Sequence, residues 1–175
     1  MELNKVVINN YRQYRHVDIE FARDPEKNFT IIKGNNGTGK TTMLNALSWC
    51  LYGEEIHDYG DDSAMEICNN KTLKLAKNDS DIKVSVELEF IDEDYGDISF
   101  KRTRTFHKTS EDLVTRPYED VFEVIDNNDQ MNIDGPDYIV DTKIPQDIED
   151  YFFFDGARLG EYFQNTSHKK IKNSN

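Results

Sequence analysis

Ile82, Val84, Val86, Leu88 and Phe90 alternate with Lys83, Ser85, Glu87 and Glu89. A period of two marks a strand with one buried face and one wet face. The loop Asp92-Glu93-Asp94-Tyr95-Gly96 then predicts a hairpin, and Ile98, Phe100, Arg102, Arg104 and Phe106 share one face of the returning strand. Val121 to Ile125 reads as a third, edge strand, ended by the turn Asp126-Asn127-Asn128-Asp129. This middle section is therefore an antiparallel meander. Nearer the N-terminus, Leu3 to Ile8 and Val17 to Phe21 predict two strands of a half-exposed sheet, and Arg23-Asp24-Pro25-Glu26-Lys27 a turn. Asn28 to Lys33 predicts a short apolar strand suited to burial on both faces. From Thr42 to Tyr52 the rhythm changes: Met43, Leu44, Leu47 and Leu51 recur at helical spacing, and Gly53 is a natural stop. Tyr151 to Phe154 is a buried run before Asp155-Gly156, followed by a short helix around Ala157 to Phe163 and a polar, Lys-rich tail. Strands, a helix and a meander together predict an α/β chain, with one lobe over 1–163 and a polar tail over 164–175.

Length agrees with one lobe. The 175 residues can bury roughly 70% of their unfolded surface. No run approaches the ~20 apolar residues of a membrane span. Met1 to Lys5 lacks the apolar stretch of a signal peptide, so a cytoplasmic location and no membrane partner are expected. Cys50 and Cys68 form neither a disulfide framework nor a zinc spacing, and the four histidines lie far apart. The 34 acidic against 21 basic residues give a formal net charge of −13. That argues against the whole surface holding nucleic acid, which draws on clustered positive charge. A local strip of Lys101, Arg102 and Arg104 with Phe100 and Phe106 remains, readable either as a DNA-facing patch or as cross-strand pairing. Glu54, Glu55, Asp58, Asp61, Asp62 and Glu66 read as a solvated acidic loop.

The strongest chemical signal lies between the apolar strand and the helix. Gly34, four further residues, then Gly39-Lys40-Thr41 match the Walker A pattern. A chance match in a chain this long arises about once in two hundred at average composition. The glycines let backbone N–H groups curl inward onto a phosphate, and the helix adds its positive dipole end. Lys40 then reaches the β- and γ-phosphates and Thr41 offers a hydroxyl to Mg²⁺. The expected nucleotide contacts are Asn35, Asn36, Gly37, Thr38, Gly39, Lys40, Thr41 and Thr42.

Around this loop the chain resembles the N-terminal half of an SMC-type ATPase head, the ABC-related group that includes RecF, RecN and the coiled-coil ATPases of double-strand-break repair. The resemblance rests on two early strands, the filling Asn35-Asn36, the stretch Leu44 to Gly53, and Asn9-Asn10-Tyr11-Arg12-Gln13-Tyr14, similar to the "N-F/Y-R" turn of these heads. It implies a P-loop NTPase half-head, lobe I of the ABC/SMC type, whose P-loop strand and Walker A helix are flanked by the meander. It also implies Arg12 as a contact to the phosphates or to an opposed head, although a plain surface arginine fits the residues equally. Phe152-Phe153-Phe154-Asp155-Gly156 resembles the "FFFDGE" element of DndD-like and Lamassu-type defence ATPases, and Ala157 departs from its final Glu. By that resemblance Asp155 replaces the Q-loop glutamine, with Thr41 as a Mg²⁺ ligand and with Lys40 as a catalytic group.

The resemblance further implies ATP and Mg²⁺ as cofactors and a second head as dimer partner. The C-terminal half of the ATPase would complete the fold, and DNA or a nuclease would be the object of its action. No heptad segment, signature motif or switch His occurs, and the chain stops where a coiled coil is expected, as an N-terminal fragment or truncated product would. Two other readings stay open. Asp155 could end a Walker B strand in a stand-alone NTPase or kinase, or the chain could be a nucleotide-gated assembly module without turnover.

Overall fold

The computed structural model describes residues 1–56, 67–110, 113–114 and 119–148. Strands β1 (Glu2–Tyr11) and β2 (Tyr14–Glu20) form a hairpin joined by Arg12 and Gln13 alone. Helix α1 (Lys40–Tyr52) follows, then the short α2 (Asn70–Leu75). The meander comprises β3 (Ser80–Asp92), β4 (Gly96–Ser110), the two-residue β5 (Leu113–Val114), β6 (Glu119–Asp126) and β7 (Met131–Ile133). Helix α3 (Pro136–Lys143) and a 3-10 turn over Gln146–Ile148 complete the described elements.

All strand pairs are antiparallel, in the order β2-β1-β3-β4-β6-β7, with β5 on β4. The alternation on β3 is realised: Ile82, Val84, Val86, Leu88 and Phe90 are buried, and their polar neighbours face outward. Opposite them on β4, Ile98, Phe100 and Phe106 have no exposed surface. Helix α1 covers this apolar face. Cys50 points its thiol at the Val86 and Phe100 carbonyls, 3.2 and 3.4 Å away. Complete burial pushes that thiol up to about 12. Trp49 packs against Tyr11, ring centroids 5.5 Å apart.

Three expectations change. Val121 to Ile125 is an interior strand, because β7 pairs outside β6; three residues are too few to show a period. Asn28 to Lys33 joins no ladder, and Phe29, Ile31 and Ile32 are 79%, 64% and 42% exposed. Apolarity announced a need for burial there, but among the described residues no strand pairs with it. The solvated acidic loop holds for Glu54 but not Glu55, whose side chain is 7% exposed against Arg12. Asp58 to Glu66 lie outside the described residues.

The arginine strip also resolves. Arg102 and Arg104 lie on the helix-facing side of β4, only 13% and 15% exposed, and both pair with Asp120 of β6. Arg102 stacks 4.5 Å over Phe122 and donates 3.1 Å to the Cys50 carbonyl in the last turn of α1. That turn carries no basic residue of its own, so the sheet supplies the cation its dipole favours. Arg104 lies 5.3 Å over Trp49. Lys101 pairs with Glu87 at 3.0 Å on the opposite face. These are cross-strand and helix-capping contacts, with no continuous basic strip facing solvent among the described residues.

Candidate functional site

The loop Gly34 to Gly39 enters α1 through two left-handed glycines, Gly37 (φ 80°) and Gly39 (φ 108°). Only glycine adopts such angles without strain. Gly39 is the N-cap of α1, with no side chain capping the helix and no acidic residue in the first turn. The first-turn amides are thus left for another acceptor, as an anion would be. The hydroxyl and backbone N–H of Thr38 both donate to the Asn35 carbonyl, at 2.8 and 3.3 Å, which closes the loop on itself. Lys40 folds back over it and donates to the carbonyls of Gly34 and Asn35, at 2.7 and 2.9 Å.

Beside the loop lies an open cavity of about 870 Å³, lined by Tyr14, Ile32, Lys33, Gly34, Asn35, Thr38 and Lys40. Asn35, Thr38 and Lys40 of the expected contacts therefore converge on one space. Gly37, Gly39, Thr41 and Thr42 belong to the same loop and first helical turn; Thr42 is buried and Asn36 exposed. The donor set fits a triphosphate: uncapped amides, an exposed ammonium and the Thr41 hydroxyl at the helix start. For Mg²⁺, Thr41 offers one oxygen. The second expected ligand, Asp155, lies outside the described residues, as does the whole of Tyr151 to Asn175.

The β1–β2 turn grips the helix start. Tyr14 donates its hydroxyl 2.9 Å to the Gly39 carbonyl, and Thr42 donates 3.2 Å to Gln13 Oε1. Local pattern gave no hint of either contact beyond their place next to Arg12. Arg12 itself turns the other way. Its guanidinium forks onto Glu55, with Nε 2.6 Å from Oε1 and Nη2 on Oε2. Tyr11 donates its hydroxyl to the same carboxylate. Burial, then the adjacent Glu55 charge, drives the Tyr11 phenol far above its usual range, and the Glu55 hydrogen bond raises Arg12. Asn10 (φ 55°) and Arg12 (φ 46°) are left-handed without being glycine. The turn is held by Arg12 N–H to the Ile67 carbonyl (2.6 Å), Asn69 N–H to the Asn10 carbonyl (2.8 Å) and Asn69 Nδ2 to the Arg12 carbonyl (2.5 Å). Such over-determined strain is common at functional sites.

A family model described as an AAA domain (AAA_23) matches residues 5–174. RecF, the DNA replication and repair protein of Histophilus somni (strain 2336), is 38% identical over 53 residues, 30% of this chain and 14% of that protein. RecF of Actinobacillus pleuropneumoniae serotype 5b (strain L20) is 34% identical over 59 residues, 34% of this chain and 15% of its own length. A component of the nuclease SbcCD of Staphylococcus haemolyticus (strain JCSC1435) is 28% identical over 125 residues, 70% of this chain. The matches thus span only 11% to 15% of these relatives. A solved structure from work on ATP-driven dimerization and DNA-stimulated activation of SMC ATPases superposes with a TM-score of 0.50 at 16% identity, over 95% of this chain and 99% of that one. That likeness establishes a shared fold. With the family model across nearly its whole length, the chain belongs to the AAA_23 family of AAA domains and shares the fold of an SMC ATPase structure.

Proposed function

We propose that this chain is the nucleotide-binding N-terminal half of an SMC-like ATPase that binds ATP with Mg²⁺ and closes head-to-head with a second copy. In this reading 1–163 form the lobe and 164–175 lead toward a coiled coil. A C-terminal half completes the site, and closure acts on DNA or governs a partner nuclease, in DNA repair or antiphage defence of the DndD or Lamassu kind, in the cytoplasm. The observation that carries it is the Gly34–Thr41 loop, whose Lys40, at the uncapped start of α1, lines one open cavity together with Gly34, Asn35 and Thr38.

The chain's own residues divide the work. The amides after Gly39 and the Lys40 ammonium hold phosphate oxygens, and Lys40 leaves the Gly34 and Asn35 carbonyls to do so. Thr42, Asn35, Asn36, Gly37 and Thr38 shape the cradle. Thr41 and Asp155 would hold the metal, which when bound would supply charge neutralisation on the phosphates. Asp155 also accepts a hydrogen bond from the attacking water, and Arg12 adds a further cation on the phosphates.

Titration of the chain with a fluorescent ATP analogue in Mg²⁺ tests this. Binding should be measurable and should be lost in Lys40→Ala. Asp155→Ala should keep binding and lose ATP-dependent dimerisation in size-exclusion chromatography. Equal affinity for Lys40→Ala and the parent chain would overturn the reading. So would turnover by the isolated chain at about 1 s⁻¹ or more, an ordinary ATPase rate, because this class completes its site only across two heads.

A further inference from the structure

The β1–β2 turn presents its two residues to opposite ends of α1. Gln13 and its neighbour Tyr14 touch Thr42 and Gly39 at the phosphate end. Arg12 instead joins Tyr11 and Glu55. Tyr11 packs on Trp49, seven residues further along the helix than Thr42, a rise of roughly 10 Å. Glu55 reaches this place because the chain folds back after Gly53: the Ser48 hydroxyl donates 3.0 Å to the Glu54 carbonyl. The ion pair is well sheltered, at 13% exposure for Arg12 and 7% for Glu55. Forked guanidinium–carboxylate pairs of this kind are the strong ones, and a buried one is broken only at substantial cost.

Glu55 therefore competes directly with any anion that would recruit Arg12. We propose that Glu55, together with the Tyr11 hydroxyl, is a positioning residue that holds Arg12 withdrawn from the phosphate loop, so that nucleotide phosphate must displace Glu55 before Arg12 joins it. This rests on the nucleotide-binding reading above. The turn keeps its backbone, pinned to Ile67 and Asn69, while the side chain rotates from one anion to the other. The device makes affinity depend on an exchange of partners for one cation. It selects ligands that carry enough negative charge to win that exchange, as a triphosphate does and a monophosphate does not.

The test is a cycle of ATP-analogue affinities in the whole chain: parent, Glu55→Gln, Arg12→Ala and the double variant, with Lys40→Ala as reference. Glu55→Gln keeps the shape and removes the competing charge. It should tighten binding by roughly tenfold, the lower end of what a charge-assisted hydrogen bond contributes. In the Arg12→Ala background the same change should do nothing. The tightening should be larger for the triphosphate than for AMP. Structural damage only loosens binding, so the sign separates positioning from scaffolding. Tyr11→Phe, which keeps the ring on Trp49, should tighten binding by a smaller factor and guards against misfolding of the first variant. Unchanged or weaker binding by both Glu55→Gln and Tyr11→Phe overturns the proposal, as does tightening that persists without Arg12. If Lys40→Ala binds as well as the parent, the nucleotide reading itself falls, whatever Glu55 does.

Discussion

Replacing Gly39 by alanine puts two separate physical costs on one atom. The backbone there has φ 108°, outside the region an alanine adopts comfortably. Holding a side-chain-bearing residue in so sparse a region costs about 1–3 kcal/mol. The new Cβ would also stand 2.5 Å from the Tyr14 hydroxyl and 2.9 Å from its Cζ, with the Gln13 amide nitrogen closer still. Gln13 can swing away, but the Tyr14 ring is fixed to β2. Retreat of that ring breaks its hydrogen bond to the Gly39 carbonyl, about 1 kcal/mol more. The sum is about 2–4 kcal/mol. Gly37 provides the control: its φ of 80° is also left-handed, yet a Cβ there meets nothing within 4 Å. Gly37→Ala should therefore cost only the backbone share, about 1–2 kcal/mol. Urea unfolding followed by the chain's single tryptophan, Trp49 in the core beside Tyr11, reads both. Gly39→Ala should lower the midpoint more than Gly37→Ala, with an unchanged slope. Equal midpoints for the two variants would refute the argument that the hairpin tip presses on the helix start. A Gly39→Ala midpoint within error of the parent would refute the strain as well.

Two further outcomes follow from contacts away from the loop. His107 is bracketed by Asp81 (2.9 Å) and Asp79 (3.1 Å), whose hydrogen bonds, Asp81's first, raise its pKa above the ordinary 6.5. The protonated ring is favoured in the folded state, so its contribution is complete below pH 6.5 and is lost as pH rises through the raised value. The Tm difference between the parent and His107→Gln should thus shrink from acid toward alkaline pH in thermal melts, and a difference independent of pH would contradict it. Phe29 is 79% exposed while Val86 is wholly buried at the sheet centre. Phe29→Asp should shift unfolding by no more than about 0.5 kcal/mol, and Val86→Asp should cost about 3–5 kcal/mol or prevent folding; similar losses for both would show that the segment from Asn28 to Lys33 is packed after all.

The contrast between Val86 and Phe29 shows what a local pattern carries. Alternation along β3 states which face is buried, and its neighbours β1 and β4 are themselves alternating strands in the same chain, so expectation and structure agree. Apolarity from Asn28 to Lys33 states only that burial is favourable; it holds no information on the covering surface, and none of the described strands provides one. The phosphate loop was legible for the same reason as β3. Its glycines, its lysine and the helix behind it are consecutive, so the left-handed entry into α1 follows from spacing alone, and the phosphate chemistry is what the proposal adds. Charge was not legible, because charges choose partners far along the chain. Arg102 and Arg104 were readable as a surface for nucleic acid or as cross-strand pairs, and Asp120, 18 and 16 residues on, decides for pairing, over Phe122 and Trp49. Arg12 was readable as a contact to phosphate or an opposed head or as a surface arginine, and the structure pairs its guanidinium with Glu55, 43 residues on. Both cases have one physical cause. A half-buried guanidinium needs a carboxylate beside it, and a chain with 34 acidic residues offers many. In so acidic a protein, an arginine near an anion site starts out neutralised by its own fold. Under the exchange proposed above, the ligand is then judged by the charge it can offer, and Arg12 with Glu55 is where that comparison is made.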